Sequence, residues 1–223
     1  MRILYTASEA LPYAASGGLA DVAGSLPAAL CKAGHDCRVV LPLYKSIKPE
    51  LRKDLRFLMN FTVDVGWRKQ YCGVFEGHAN NVTYYLLDNE YYYARDGLYG
   101  FYDDCERFVF LSRAVMELIR HIDWKPQIIN CNDWQTALVP VYYQTYYKYQ
   151  HGYEDIKTVF TIHNIQYQGK YGMDVLNEVM GIPMYHANLL EYDGCINMMK
   201  GAFETADKIT TAVSYTHLTL PTT

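Results

Sequence analysis

The sequence has no cysteine pair at CxxC spacing, no apolar stretch approaching the ~18 residues of a membrane-crossing helix, and no surplus of basic charge. Each absence closes a class. The six cysteines (Cys31, Cys37, Cys72, Cys105, Cys131, Cys195) are scattered, which fits reduced, buried thiols in a cytoplasmic protein better than a disulfide framework or a zinc site. The seven histidines show no metal-ligand spacing, so no metal and no cofactor is expected. A net charge of −4 argues against a nucleic-acid partner, and the missing apolar run argues against a membrane one. Near the N-terminus, Glu9 breaks the apolar run before it reaches the ~7–15 residues of a secretory core, so no signal peptide is expected. There is no internal repeat and no low-complexity linker.

What is present is a chain of 223 residues, half of them hydrophobic, long enough for a large core. "RILYTA" reads as a buried strand. After Gly17 and Gly18, the residues Val22, Leu26, Ala29, Leu30 and Ala33 recur at helical spacing, Pro27 bends that helix, and Gly34 stands where its C-terminal cap is wanted. "DCRVVLP" is a second strand, completing a βαβ unit. Residues 57–87 hold three β-rich runs, two read as a hairpin-like insertion and the third as a return to the main sheet. From Asp103 a helix carries Phe108, Leu111, Val115 and Leu118 on one face, with Arg113, Glu117 and Arg120 opposite. Strands at 126–133, 157–164 and 208–214 alternate with helices near 134–149, 174–180 and 194–207. Continuous apolar strands between helices indicate an α/β fold: a Rossmann-like, mainly parallel sheet with helices on both faces.

In such sheets ligands bind beyond the carboxyl ends of the strands. Glu9, Ser16, Gly17 and Gly18 follow the first strand, Asp133 follows "QIINCN", and His163 and Asn164 follow "TVFTI". A carboxylate, an imidazole, an amide and a glycine turn are thereby brought to one edge. The glycines would expose the first amides of the following helix to an anion or polar oxygen, or would only make a tight turn. The loop matches neither GxGxxG nor GxxxxGK[ST]. Asp133 alone fits a helix N-cap and His163 alone a structural histidine. The tyrosine groups 91–93 and 142, 143, 146, 147 suggest sugar stacking, although the helical spacing of the second fits core packing.

The stretches "ILYTASEALPYAASGGLADVAGSLPAAL", "GHDCRVVLPLY", "INCNDWQTALVP", "VFTIHNIQYQG" and "INMMKGAFETADKITTAVS" together resemble bacterial glycogen (starch) synthases, retaining glucosyltransferases of the GT-B class. "RDGLYGFYDDCERFVF" resembles them more loosely. The resemblance implies transfer of glucose from ADP-glucose to the non-reducing end of an α-1,4-glucan. It gives His163 and Asp133 places beside the transferred glucose, Gly17 and Gly18 a place facing the donor diphosphate, and Tyr99 a place near the cleft. It also assigns residues 1–214 to the acceptor-side, N-terminal half of a GT-B fold and leaves 215–223 as a tail that does not match.

Two departures qualify it. The family pattern is Lys-x-Gly-Gly, and Ala15 stands at the lysine's position. The family's second Rossmann-like half, with its Arg, Lys and Glu for the leaving diphosphate, has no counterpart in these residues, so the polypeptide alone is expected to have little transferase activity. The alternatives are a non-catalytic glucan-binding module and a nucleotide-dependent oxidoreductase. The second lacks the glycine fingerprint and its acidic partner.

Overall fold

The computed structural model of the chain describes residues 1–212, so the expected end of the last strand at 213–214 and the tail at 215–223 lie outside the described residues. The first βαβ unit is β1 (Arg2–Thr6), α1 (Gly18–Lys32) and β2 (Asp36–Pro42). After one turn, α2 (Pro49–Lys53), come β3 (Arg56–Val65), β4 (Arg68–Ala79) and β5 (Val82–Asp88). The single-turn α3 (Glu90–Tyr93) and the long α4 (Asp104–His121) lead to β6 (Ile128–Asn132), α5 (Leu138–Tyr142) and β7 (Lys157–Ile162). Next are β8 (Lys170–Tyr171), α6 (Val175–Glu178), α7 (Ala187–Leu190), β9 (Glu191–Tyr192), β10 (Cys195–Asn197), α8 (Met198–Thr205) and β11 (Lys208–Thr211).

Eight strands form one sheet in the order β11-β7-β6-β1-β2-β5-β4-β3. From β11 to β5 every pairing is parallel. β5–β4 and β4–β3 are antiparallel. The third β-rich run thus returns to the main sheet beside β2, and the other two form a hairpin extending its edge. Central strands are buried almost throughout, as both faces are covered by helices: Leu4, Tyr5, Val39, Val40 and Ile129 have no solvent exposure.

The apolar stripe of α4 packs as its periodicity requires, with Phe108, Leu111, Val115 and Leu118 all fully buried. Its other face is not simply solvated. The Arg113 guanidinium lies 4.3 Å from the Tyr142 ring centre and 4.7 Å from that of Tyr146, and Glu117 accepts a 2.5 Å bond from the Tyr147 hydroxyl. In α1 the buried face is Leu19, Ala20, Ala23, Gly24 and Pro27, and Leu26 of the expected stripe is exposed. Small residues win because the helix approaches the preceding loop closely: a Cβ on Gly24 would stand 2.9 Å from that of Leu11. The helix continues through Pro27, and Gly34, at φ +87°, follows its C-cap as expected.

The expected helix at 134–149 is instead a 3₁₀ turn (Trp134–Thr136), α5, and a π turn (Tyr143–Tyr147). Pro140 brings no N–H to the α-helical ladder. The wider turn lets both Tyr143 and Tyr147 face the core, where their hydroxyls bond to the Tyr153 carbonyl and Glu117. Most of these tyrosines are therefore core. The helix expected at 174–180 shrinks to α6, and the one at 194–207 starts at Met198, where Asn197 caps it by accepting from the Lys200 amide. Residues 195–197 belong instead to a small antiparallel sheet, β8-β10-β9, for which short strands gave no periodic signal. All six cysteines are free thiols, and burial pushes Cys37 and Cys131 up to about 12. Among the described residues no helix is long and apolar enough to cross a membrane.

Candidate active site

Because β1, β6 and β7 are parallel neighbours, their carboxyl ends lie side by side and the loops that follow share one rim. There they enclose a cavity of about 780 Å³. All eight residues singled out from the sequence line it: Glu9, Ser16, Gly17 and Gly18 after β1, Asp133 after β6, His163 and Asn164 after β7, and Tyr99 from the loop before α4.

Asp133 does not cap the helical turn that follows it. Its Oδ1 reaches across to β7, accepting from the backbone N–H groups of His163 (2.7 Å) and Asn164 (3.1 Å). The backbone is strained to allow this, at φ +56°, ψ −179°, a region occupied almost solely by glycine. Burial pushes the Asp133 carboxyl up, while the two amides and the neighbouring imidazole pull it back.

His163 is oriented from below by a residue the sequence reading did not name. Asn132, fully buried at the end of β6, spends its Nδ2 on Thr6 O (3.0 Å), Asn130 Oδ1 (3.0 Å) and Asn130 O (3.4 Å). Its Oδ1 therefore accepts, from Tyr5 Oη at 2.9 Å and from His163 Nε2 at 2.9 Å, which fixes the proton of the neutral ring on Nε2. Burial lowers the imidazole below 6.5, with Asp133 opposing, so the ring is neutral at pH 7.

The glycine turn is held from within. Glu9, 3% exposed, accepts at Oε2 from the Ser16 amide (2.5 Å) and the Ser16 hydroxyl (2.7 Å). Burial pushes its carboxyl up against these bonds. Neither glycine needs a left-handed backbone; Gly17 is extended at φ −161°, and a Cβ on Gly18 would meet nothing within 4 Å. A tight turn is thus no reason for the pair. What the absent side chains leave open is the start of α1, where the amides of Gly18 and Leu19 precede the first intrahelical bond, Ala20 N–H to Gly17 O. Such amides and the helix dipole favour an anion. Tyr99, its phenol held far above the ordinary range by burial, bonds Ser8 at 2.7 Å and so ties the loop before α4 to the loop after β1.

Trp134, Gln135, Gly100, Asp104 and Tyr167 also line the cavity. Trp134 and Gln135 lay within reach of the strand-end argument, being next after Asp133. Tyr167 came from a longer loop that nothing local marks. Asp104 is neutralised by the fully buried Arg107, at 2.5 Å, and accepts from the Gly100 amide at 2.7 Å. None of the described lining residues is a lysine or arginine, and Ala15 is exposed just before Ser16. Among the described residues no cluster of three or more His, Cys, Asp or Glu is disposed to hold a metal ion.

A mainly parallel sheet with helices on both faces and a cavity at its carboxyl edge, apolar in much of its wall and set with a few polar groups, defines a Rossmann-like ligand-binding domain. The family model of the starch synthase catalytic domain matches residues 2–219, and the chain belongs to that family. It is 50% identical over 220 residues to a glycogen synthase of Clostridium botulinum, covering 97% of this chain and 46% of that one. A glycogen synthase of Geobacillus stearothermophilus is 46% identical over 213 residues, covering 95% and 44%. The chain therefore spans about half the length of the curated relatives it matches. The catalytic domain of starch synthase IV from Arabidopsis thaliana, bound to ADP and acarbose, superposes with a TM-score of 0.84 at 29% identity, covering 93% of this chain and 44% of that one. The mainly parallel α/β architecture is that of the GT-B starch synthase domain.

Proposed function

We propose that this chain forms the acceptor-side wall of a cytoplasmic glucosyltransferase, in which glucose passes from ADP-glucose to the non-reducing end of an α-1,4-glucan with retained configuration. The observation that carries this reading is the convergence of three strand-end loops on one cavity whose lining includes both an oriented neutral imidazole and an open helix N-terminus. The glycogen synthase relatives support the glucan acceptor. The ADP held by the Arabidopsis neighbour supports an ADP-bearing donor.

In the reaction the anomeric C1–O bond to the diphosphate breaks, a bond to an acceptor hydroxyl oxygen forms, and the proton of that hydroxyl passes to the departing diphosphate oxygen. His163 would meet a hydroxyl of the transferred glucose in neutral form. Asp133 would hold the His163–Asn164 backbone in place beside that sugar, and the Gly18 and Leu19 amides would face the diphosphate. Departure of a diphosphate demands stabilised charge, and the described lining offers amides but no cation. This polypeptide by itself is expected to incorporate little glucose into glycogen.

The test is to titrate the isotope-labelled chain with ADP-glucose and follow its amide resonances. Shifts should cluster at Gly17–Leu19, His163 and Asn164, and a response confined to other parts of the chain would sink the reading. A second reading, a glucan-binding module without transfer, is favoured by the cation-free lining. It requires glucan binding that persists with no response to ADP-glucose.

A further inference from the structure

Three large aromatic side chains stand in solvent around the first turn of α4: Trp67 (75% exposed), Tyr91 (58%) and Tyr102 (89%). Exposed rings of this size, rimmed by polar groups, mark a contact surface. They are held from beneath by two ion pairs. Arg68 lies over the Trp67 ring at 4.7 Å and reaches Glu106 at 3.9 Å. Glu106 also accepts from the buried Tyr92 hydroxyl at 2.5 Å, and Tyr91 packs edge-on against Tyr92 with ring centres 5.1 Å apart. On the other side Arg95 donates at 2.8 Å both to the Tyr91 carbonyl and to Asp103. The Tyr102 hydroxyl lies beside that of Tyr91.

The chemistry of this platform selects its occupant. Both guanidinium groups are matched by carboxylates, so the patch has no surplus of positive charge to draw a nucleic acid, an acidic peptide or an anionic lipid surface. What it presents is flat ring faces flanked by groups that both donate and accept hydrogen bonds. A pyranose is complementary to that surface, with an apolar C–H face and a rim of hydroxyls. The platform is also continuous with the cavity, since in the loop 99–104 Tyr99, Gly100 and Asp104 line the cavity while Tyr102 stands on the platform.

We infer that the Trp67–Tyr91–Tyr102 platform binds the body of an α-1,4-glucan chain outside the cavity. The glucan is held by ring stacking, with its reacting end free to enter the site. This inference rests on the glucan-transfer reading above.

The test is mobility of the full chain in native gels containing glycogen, alongside ADP-glucose titration of the same proteins. Combined replacement Trp67→Ala, Tyr91→Ala and Tyr102→Ala should weaken glycogen retardation at least fivefold and leave the ADP-glucose response unchanged. Tyr91→Phe, which keeps the ring, should be retarded like the parent. Thermal melts check the fold, and the single variants Trp67→Ala and Tyr102→Ala serve if the triple variant is unstable. Undiminished retardation of the platform variants, or loss of retardation only in the cavity variant His163→Ala, overturns the inference. A chain that responds to ADP-glucose but ignores glycogen overturns it too and leaves the transferase reading standing. Platform-dependent retardation with no ADP-glucose response upholds the platform and removes the transferase reading. Platform variants that abolish self-association in sedimentation, with glycogen binding intact, assign the surface to a second copy and overturn the inference.

Discussion

In the parallel part of the sheet, β1 and β2 are buried along nearly their whole length, and polar groups collect just past the strand ends. On the antiparallel edge, β3 alternates buried and exposed residues, and its turn at Gly66–Trp67 faces outward. A strand covered on both faces has no side on which to carry chemistry, so function moves to its carboxyl end. There the bonds that hold the loops together are made by the residues that line the cavity. On the edge, if the platform binds glucan as inferred above, holding the fold and meeting that partner fall to different residues.

Two substitutions of similar cost should separate these regions. Gly66 sits at φ +56°, and a Cβ there would come within 2.0 Å of the Glu178 carbonyl oxygen. Gly66→Ala should therefore cost about 3 kcal/mol in urea unfolding while ADP-glucose affinity of the remaining folded protein is unchanged. Asp133→Ala removes the acceptor of two backbone amides and should cost about 2–3 kcal/mol. Here the binding response should be lost as well, and Asp133→Asn, which keeps an acceptor oxygen, should recover most of the stability. Equal loss of binding in both variants would break the contrast.

Ala15→Lys adds a cation to an exposed position next to a lining residue. If the lysine reaches the donor phosphates, a charge-assisted bond of ~1.5 kcal/mol corresponds to about tenfold tighter ADP-glucose binding by calorimetry. Unchanged affinity would show that the position makes no contact. Gly18→Ala is a finer probe, since the backbone there tolerates a methyl and alanine suits a helix. Stability should stay within about 0.5 kcal/mol of the parent or rise, while ADP-glucose binding falls severalfold because the methyl shields the open amides. A stability loss with intact binding would return the glycines to a purely structural part.

The smallest effect concerns pH. Burial depresses the His163 value below 6.5 in the folded state. The unfolded chain therefore takes up a proton that the folded chain does not, and stability is lost as pH falls from 6.5 through the folded value. His163→Gln should show a shallower decline between pH 6.5 and 5 in chemical denaturation. Parallel slopes would refute the assignment.

The parallel frame was legible because its strands are continuous apolar runs, and the lining residues were legible because a strand-end rule needs only the order of elements. Asn132 was not. It lies inside the strand, where sequence shows a polar residue but not the five contacts that engage its amide. The exposed half of the α1 stripe misled because Leu26 looks more like core than Gly24, and only the closeness of the Leu11 loop reverses them. The π turn at Tyr143–Tyr147 depends on partners at Glu117 and Tyr153, distant in sequence. Four tyrosines in the six positions 142–147 give no hint of that wider winding.

On the glucosyl-transfer reading proposed above, Asn132 has a consequence for how a sugar would be gripped. With every donor and acceptor of its amide already engaged, the imidazole above it keeps one tautomer, its Nε2 proton directed at Asn132. On that reading, the fixed tautomer would set which sugar hydroxyls the cavity wall can bond.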